Sequence, residues 1–109
     1  MRIQCGIVVV ALLAASAADG AAAETDIAAK GKALVAANCS RCHAIDKDDK
    51  SPHPEALPFR EVVLHYPPDQ LAEALAEGIM SGHPDMPEFT FEPAEIDAII
   101  GYLATLEVR

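Results

Sequence analysis

Apolar positions along the chain change their spacing several times, and each change marks an element. Ile7 to Ala15 (IVVVALLAA) is an unbroken apolar run. From Asp26 to Asn38 the stripe is spaced by three and four residues through Ile27, Lys30-Gly31, Leu34 and Val35, which predicts a helix capped by Thr25 or Asp26. Asp46 to Pro58 (DKDDKSPHPEALP) is polar, rich in proline and without period, so it reads as a loop. Phe59 to Tyr66 suffices for a turn or two of helix, and Pro67-Pro68 stops it. Pro68 suits the first turn of the next helix, Asp69 to Ile79, which aligns Leu71, Leu75 and Ile79 on one face. Ser81 to Glu92, with Gly82, Pro84 and Pro87, is irregular again. Pro93 to Glu107 predicts an amphipathic helix burying Ile96, Ile99, Ile100, Leu103 and Leu106. No segment alternates with period two over a useful length, and there is no internal repeat. The expected fold class is all-α, in a single domain.

The first residues stand apart from that domain. Met1-Arg2 is a minimal positive end, the apolar run follows, and Ala15-Ser16-Ala17 and Ala21-Ala22-Ala23 are both readable as A-x-A cleavage sites. That order is a secretory signal peptide. The alternative is a retained membrane anchor, but the run is well short of the roughly 20 apolar residues that span a bilayer as a helix. The expectation is therefore a cleaved leader over 1–23, a mature domain over 24–109 and a periplasmic location, with the cut at Ala23/Glu24 where polar character begins. Cys5 would leave with the leader.

Export changes how the cysteines are read. The mature chain has 86 residues, a size at which apolar burial alone is marginal and a staple or bound group usually completes the core. Only Cys39 and Cys42 remain, and a bridge across so short a loop contributes little, because the entropic gain grows with loop size. They are better explained as attachment points. Cys39-Ser40-Arg41-Cys42-His43 is C-x-x-C-H, the signature of covalent heme c attachment. On a helical turn positions i, i+3 and i+4 share one face, so two thiols reach one edge of a porphyrin while the imidazole lies beneath the iron. A redox dithiol would need a βαβ context, and a zinc site would need ligands that the other histidines do not supply at suitable spacing.

An iron ligated by His43 has a second face. Met86, in His83-Pro84-Asp85-Met86-Pro87, is the expected sixth ligand, because flanking prolines give a weak thioether the rigid loop it needs. Met80, near the end of an amphipathic helix, is expected to pack instead. His83 is the alternative ligand, and His53 and His65 read as solvated surface histidines.

These residues resemble the class I cytochromes c, specifically small bacterial periplasmic monoheme members, over nearly all of Asp26 to Leu106. The resemblance implies three to five helices wrapped around one covalently attached heme, with Cys39, Cys42, His43 and Met86 binding it and His43 and Met86 on the metal. It also implies that Gly31, eight residues before Cys39, lets the first helix cross closely against the last, where Tyr102 matches the family's packed aromatic. The chain departs from the family where a Gly-Pro-x-Leu segment usually follows the heme-binding histidine, its proline carbonyl accepting the ring N–H. Here Pro52, Pro54 and Pro58 compete for that place, and Leu57-Pro58-Phe59 is the nearest look-alike. Arg60 is either a partner of a heme propionate or a surface arginine. Val35 stands where the family often has an aromatic.

The net charge of −9 argues against nucleic acid and anionic membrane surfaces and favours redox partners with basic docking patches, though solubility accounts for it equally well. No nucleophile–base constellation suggests catalysis on a substrate. The expected function is that of a soluble, monomeric, periplasmic one-electron carrier. Its rivals are a dedicated cytochrome subunit of a periplasmic dehydrogenase and a gas-sensing or peroxidatic heme protein.

Overall fold

The structure, a computed structural model, describes residues 6, 9–11, 17–79 and 83–107. Its regular elements there are four helices: α1 (Ala17–Asn38), α2 (Phe59–His65), α3 (Pro68–Glu77) and α4 (Pro93–Ala104). The all-α expectation holds. α1 starts well before Asp26, because Ala17, Ala18 and Ala21 to Ala23 have the highest helix propensity and need no cap at Thr25 to join the helix. The expected cut after Ala23 falls inside α1. α3 stops at Glu77, two residues short of Ile79, because Gly78 takes a φ of +87°, a conformation that strains residues with a Cβ. α4 opens on a capping box: Glu92 and Glu95 satisfy each other's backbone N–H groups, with Glu92 N–H donating to Glu95 Oε1 at 2.9 Å. It ends at Ala104, yet Leu106 beyond it remains buried.

α4 is the hub of the fold, and α1, α2 and α3 each pack on it. It buries Ile96, Ile99, Tyr102 and Leu103, and the last three cluster with Val35 of α1, Val63 of α2, Ile45 and Leu106. Ile100 is only half-buried at the margin. Val35 is the largest side chain that is fully enclosed among the described residues.

The approach of α1 to α4 depends on Gly31. A Cβ there would lie 1.8 Å from the Ala98 carbonyl oxygen and 2.9 Å from Tyr102 Cβ, so the expected glycine–aromatic contact is present. Tyr102 then reaches past α1 and donates its hydroxyl to the Ile45 carbonyl at 2.5 Å, tying the last helix to the segment just after His43. Burial, and next the charge of Asp46, hold its phenol above the ordinary tyrosine range. The fold thus favours neutral Tyr102, and its contribution is present below about pH 10 and lost as pH rises through the raised value. Tyr102→Phe should cost about 1 kcal/mol at neutral pH. In denaturant titrations the variant should also lose less stability than the wild type above pH 10; parallel pH profiles would refute the role of the hydroxyl.

Candidate functional site

The Cys39–His43 segment prolongs α1 by one turn. Cys39 N–H donates to the Val35 carbonyl at 2.8 Å, and the N–H groups of Cys42 and His43 both return to the Cys39 carbonyl, at 3.2 and 2.9 Å. Asn38 Nδ2 and Ser40 Oγ bond back to the carbonyls of Leu34 and Ala36. The turn is therefore helical, and Cys39, Cys42 and His43 share a face as their spacing requires. Both thiols are free and half-buried, and burial pushes the Cys39 thiol up to about 11. Cys39 belongs to a rim of half-buried apolar side chains, among them Leu34, Phe59, Leu71, Leu75 and Phe91, that lean on the core.

His43 is oriented by the loop that follows it. Its Nδ1 lies 2.6 Å from the Leu57 carbonyl oxygen, and its ring stacks on Phe59 with centroids 4.8 Å apart. A carbonyl only accepts, so Nδ1 carries the proton and Nε2 keeps its lone pair. That is the tautomer a metal ligand needs, and the carbonyl makes the imidazole more basic. None of the competing prolines, Pro52, Pro54 and Pro58, supplies the acceptor; the carbonyl of Leu57, just before Pro58 in the look-alike segment, does.

Loop 44–58 is held on both sides. Ser51 Oγ accepts from Ala44 N–H at 3.0 Å, and Asp49 accepts from the N–H groups of Ile45 and Asp46 at 3.1 and 3.0 Å. Phe59 N–H donates to the Ala44 carbonyl at 2.9 Å, and His53 N–H to the Cys42 carbonyl at 3.1 Å. Arg60 approaches Asp49 Oδ1 and the Asp46 carbonyl, each at 3.4 Å, so it braces this loop.

Met86 is half-buried, and its N–H donates to the His83 carbonyl at 3.2 Å. Met80 lies outside the described residues. His65 is exposed in the last turn of α2, as expected. His53 differs from expectation: it is half-buried, and its Nε2 lies 3.1 Å from Asp85 Oδ2. His83 Nε2 contacts Glu55 Oε2, and its Nδ1 accepts from Asp85 N–H at 3.2 Å, so both ring nitrogens are engaged. Sequence reasoning missed these pairings, which join residues about 30 positions apart; the only signal was two similar His-Pro-acid triplets.

Two thiols and an imidazole with its Nε2 lone pair available share the turn after α1, and Met86, the expected thioether donor, lies on the separate segment that begins at His83. Among the described residues no group of three or more His, Cys, Asp or Glu is placed so that it could hold a metal ion. Thiols for covalent attachment and soft or imidazole axial donors suit an iron already held in a macrocycle. Residues 26–103 match the family model described as cytochrome c oxidase, cbb3-type, subunit III. No curated protein and no solved structure matches the chain.

Proposed function

Since the chain belongs to this family of c-type cytochrome domains, which bind heme c and carry electrons, we propose that it is an exported one-electron carrier with a single heme bonded to Cys39 and Cys42 and axial ligands His43 and Met86. The observation that carries this reading is the Nδ1–H bond from His43 to the Leu57 carbonyl, which presents Nε2 as a ligand one residue beyond the second thiol. When bound, the heme supplies a one-electron iron couple. The chain's own residues do the rest: the α1 extension aligns the two thiols and His43, Leu57 and Phe59 fix the imidazole plane, and the apolar rim excludes water. With 17 acidic against 8 basic residues, partners would present basic docking surfaces. No helix among the described residues is long and apolar enough to cross a membrane.

Met86→Ala tests the ligand set. Oxidised wild type should show the weak near-infrared sulfur-to-iron charge-transfer band. The variant should lose it, with a lower potential and carbon monoxide binding by the reduced protein. Met80→Leu should leave all three nearly unchanged. A band that survives Met86→Ala but vanishes in Met80→Leu would make Met80 the ligand and overturn the Met86 reading, and its absence from wild type would indicate His83.

The description of the matched family names a subunit of an oxidase, which favours a second reading, a dedicated electron-delivering subunit of one enzyme. Stoichiometric co-purification with a redox enzyme at moderate salt would support that reading over a free carrier.

A further inference from the structure

Two short runs share one residue order, His53-Pro54-Glu55 and His83-Pro84-Asp85. They also fold alike: Glu55 N–H donates to His53 Nδ1 at 3.1 Å, and Asp85 N–H donates to His83 Nδ1 at 3.2 Å. A ring nitrogen that accepts carries no proton, so each neutral imidazole has its proton on Nε2. Both Nε2 atoms point across to the other run. His53 donates to Asp85 Oδ2 at 3.1 Å, His83 donates to Glu55 Oε2, and the two rings meet edge to face with centroids 5.5 Å apart. Each loop gives the other one donor and accepts one in return. The same tautomers leave neither Nε2 a lone pair, so these four residues do not make a cation site.

One of the two loops orients His43, and the other carries Met86. His53 N–H is bonded to the Cys42 carbonyl, and the His43 acceptor Leu57 lies four residues further on. On the other side Met86 follows Asp85 directly, and its N–H returns to the His83 carbonyl. We infer that the reciprocal His53–Asp85 and His83–Glu55 pairing is a clamp whose four members are positioning residues, holding the Met86 loop in register with the loop that orients His43. The inference rests on Met86 as the sixth ligand. A lone exposed pair would hold little. Here two charge-assisted bonds close one ring, and Pro54 and Pro84 fix the backbone between each histidine and its acid, so opening one side misaligns the other. A thioether is the ligand most in need of such support, because it binds iron weakly.

The test uses the heme-loaded protein and the variant His53→Ala/Glu55→Ala, both changes lying about 30 residues before Met86 in the chain. If the clamp holds Met86, the population with the methionine off the iron rises. Exogenous imidazole should then bind the oxidised protein roughly tenfold more tightly, since apparent affinity scales with the competent fraction. The near-infrared band should weaken, amide exchange across 83–87 should quicken, and helix content should stay as in wild type. Single Glu55→Gln should act in the same direction more weakly. His53→Gln, whose amide nitrogen can still donate to Asp85, should restore most of the wild-type affinity. Imidazole affinity within about twofold of wild type overturns the clamp, whether or not exchange quickens. If Met86→Ala abolishes the band in that case, the ligand reading stands and only the clamp has failed. A band that persists in Met86→Ala removes the ligand reading and the clamp's purpose together.

Discussion

Replacing both Cys39 and Cys42 by alanine should release the heme and leave the chain largely unfolded. The unmodified mature protein should keep its heme through denaturation and acid-acetone extraction, because thioether bonds survive loss of the fold. The double variant should yield apoprotein with little cooperative thermal transition by circular dichroism. The size of the effect follows from the core. The 86 residues that the proposed cleavage after Ala23 would leave bury too little apolar surface to be comfortably stable alone. Among the described residues the central cluster is seven side chains, and a second set, Cys39 included, is left half-buried around it. A porphyrin against that rim would extend the core by more than any side chain could. Heme that extracts freely from the unmodified protein would overturn the proposed attachment.

The second large effect is expected far from the thiols. Gly31→Ala places a methyl 1.8 Å from the Ala98 carbonyl oxygen and 2.5 Å from its carbonyl carbon. Both atoms belong to the backbone of a helix, so no rotamer change relieves the overlap and α1 and α4 must move apart. A loss of roughly 3 kcal/mol or more is expected, at the upper end for overpacking. For a domain of this size that lowers Tm by roughly 10–20 °C. Gly101→Ala is the control on the facing helix. Among the described residues its Cβ would meet Ile27 Cγ2, at 3.1 Å, a side-chain methyl at an exposed position and not a backbone atom, so a shift of a few tenths of an ångström relieves it. There the gain in helix propensity, about 1 kcal/mol, offsets most of the crowding. Equal melting temperatures for the two variants would refute the close crossing.

Much of this was legible along the chain, and for local reasons. The cysteines and His43 fall on one face because positions i, i+3 and i+4 of a single turn do so whatever surrounds them. α4 was readable because its apolar period and its start at Pro93 are properties of a dozen consecutive residues. The ends of α1 and α3 were harder. A run of alanines has no periodic signal to mark a start, and Gly78 stops α3 by its backbone conformation, before the apolar stripe runs out at Ile79. The Gly31–Tyr102 contact was expected through resemblance to a family, since neither residue alone announces a partner about 70 positions away.

By itself the sequence determined the helical class, the face shared by Cys39, Cys42 and His43, and Met86 as a thioether candidate held between prolines. Tertiary structure alone decided the second layer. It chose the Leu57 carbonyl as the acceptor from His43, gave Arg60 to Asp49, and paired His53 with Asp85 and His83 with Glu55. The division has a physical cause. Helical spacing is set by hydrogen bonds four residues apart, and a pattern of that reach is written in any short window of sequence. The orientation of an imidazole or a carboxylate in a loop without period depends on where two distant segments meet, and that is settled only when α4 gathers the other helices around it.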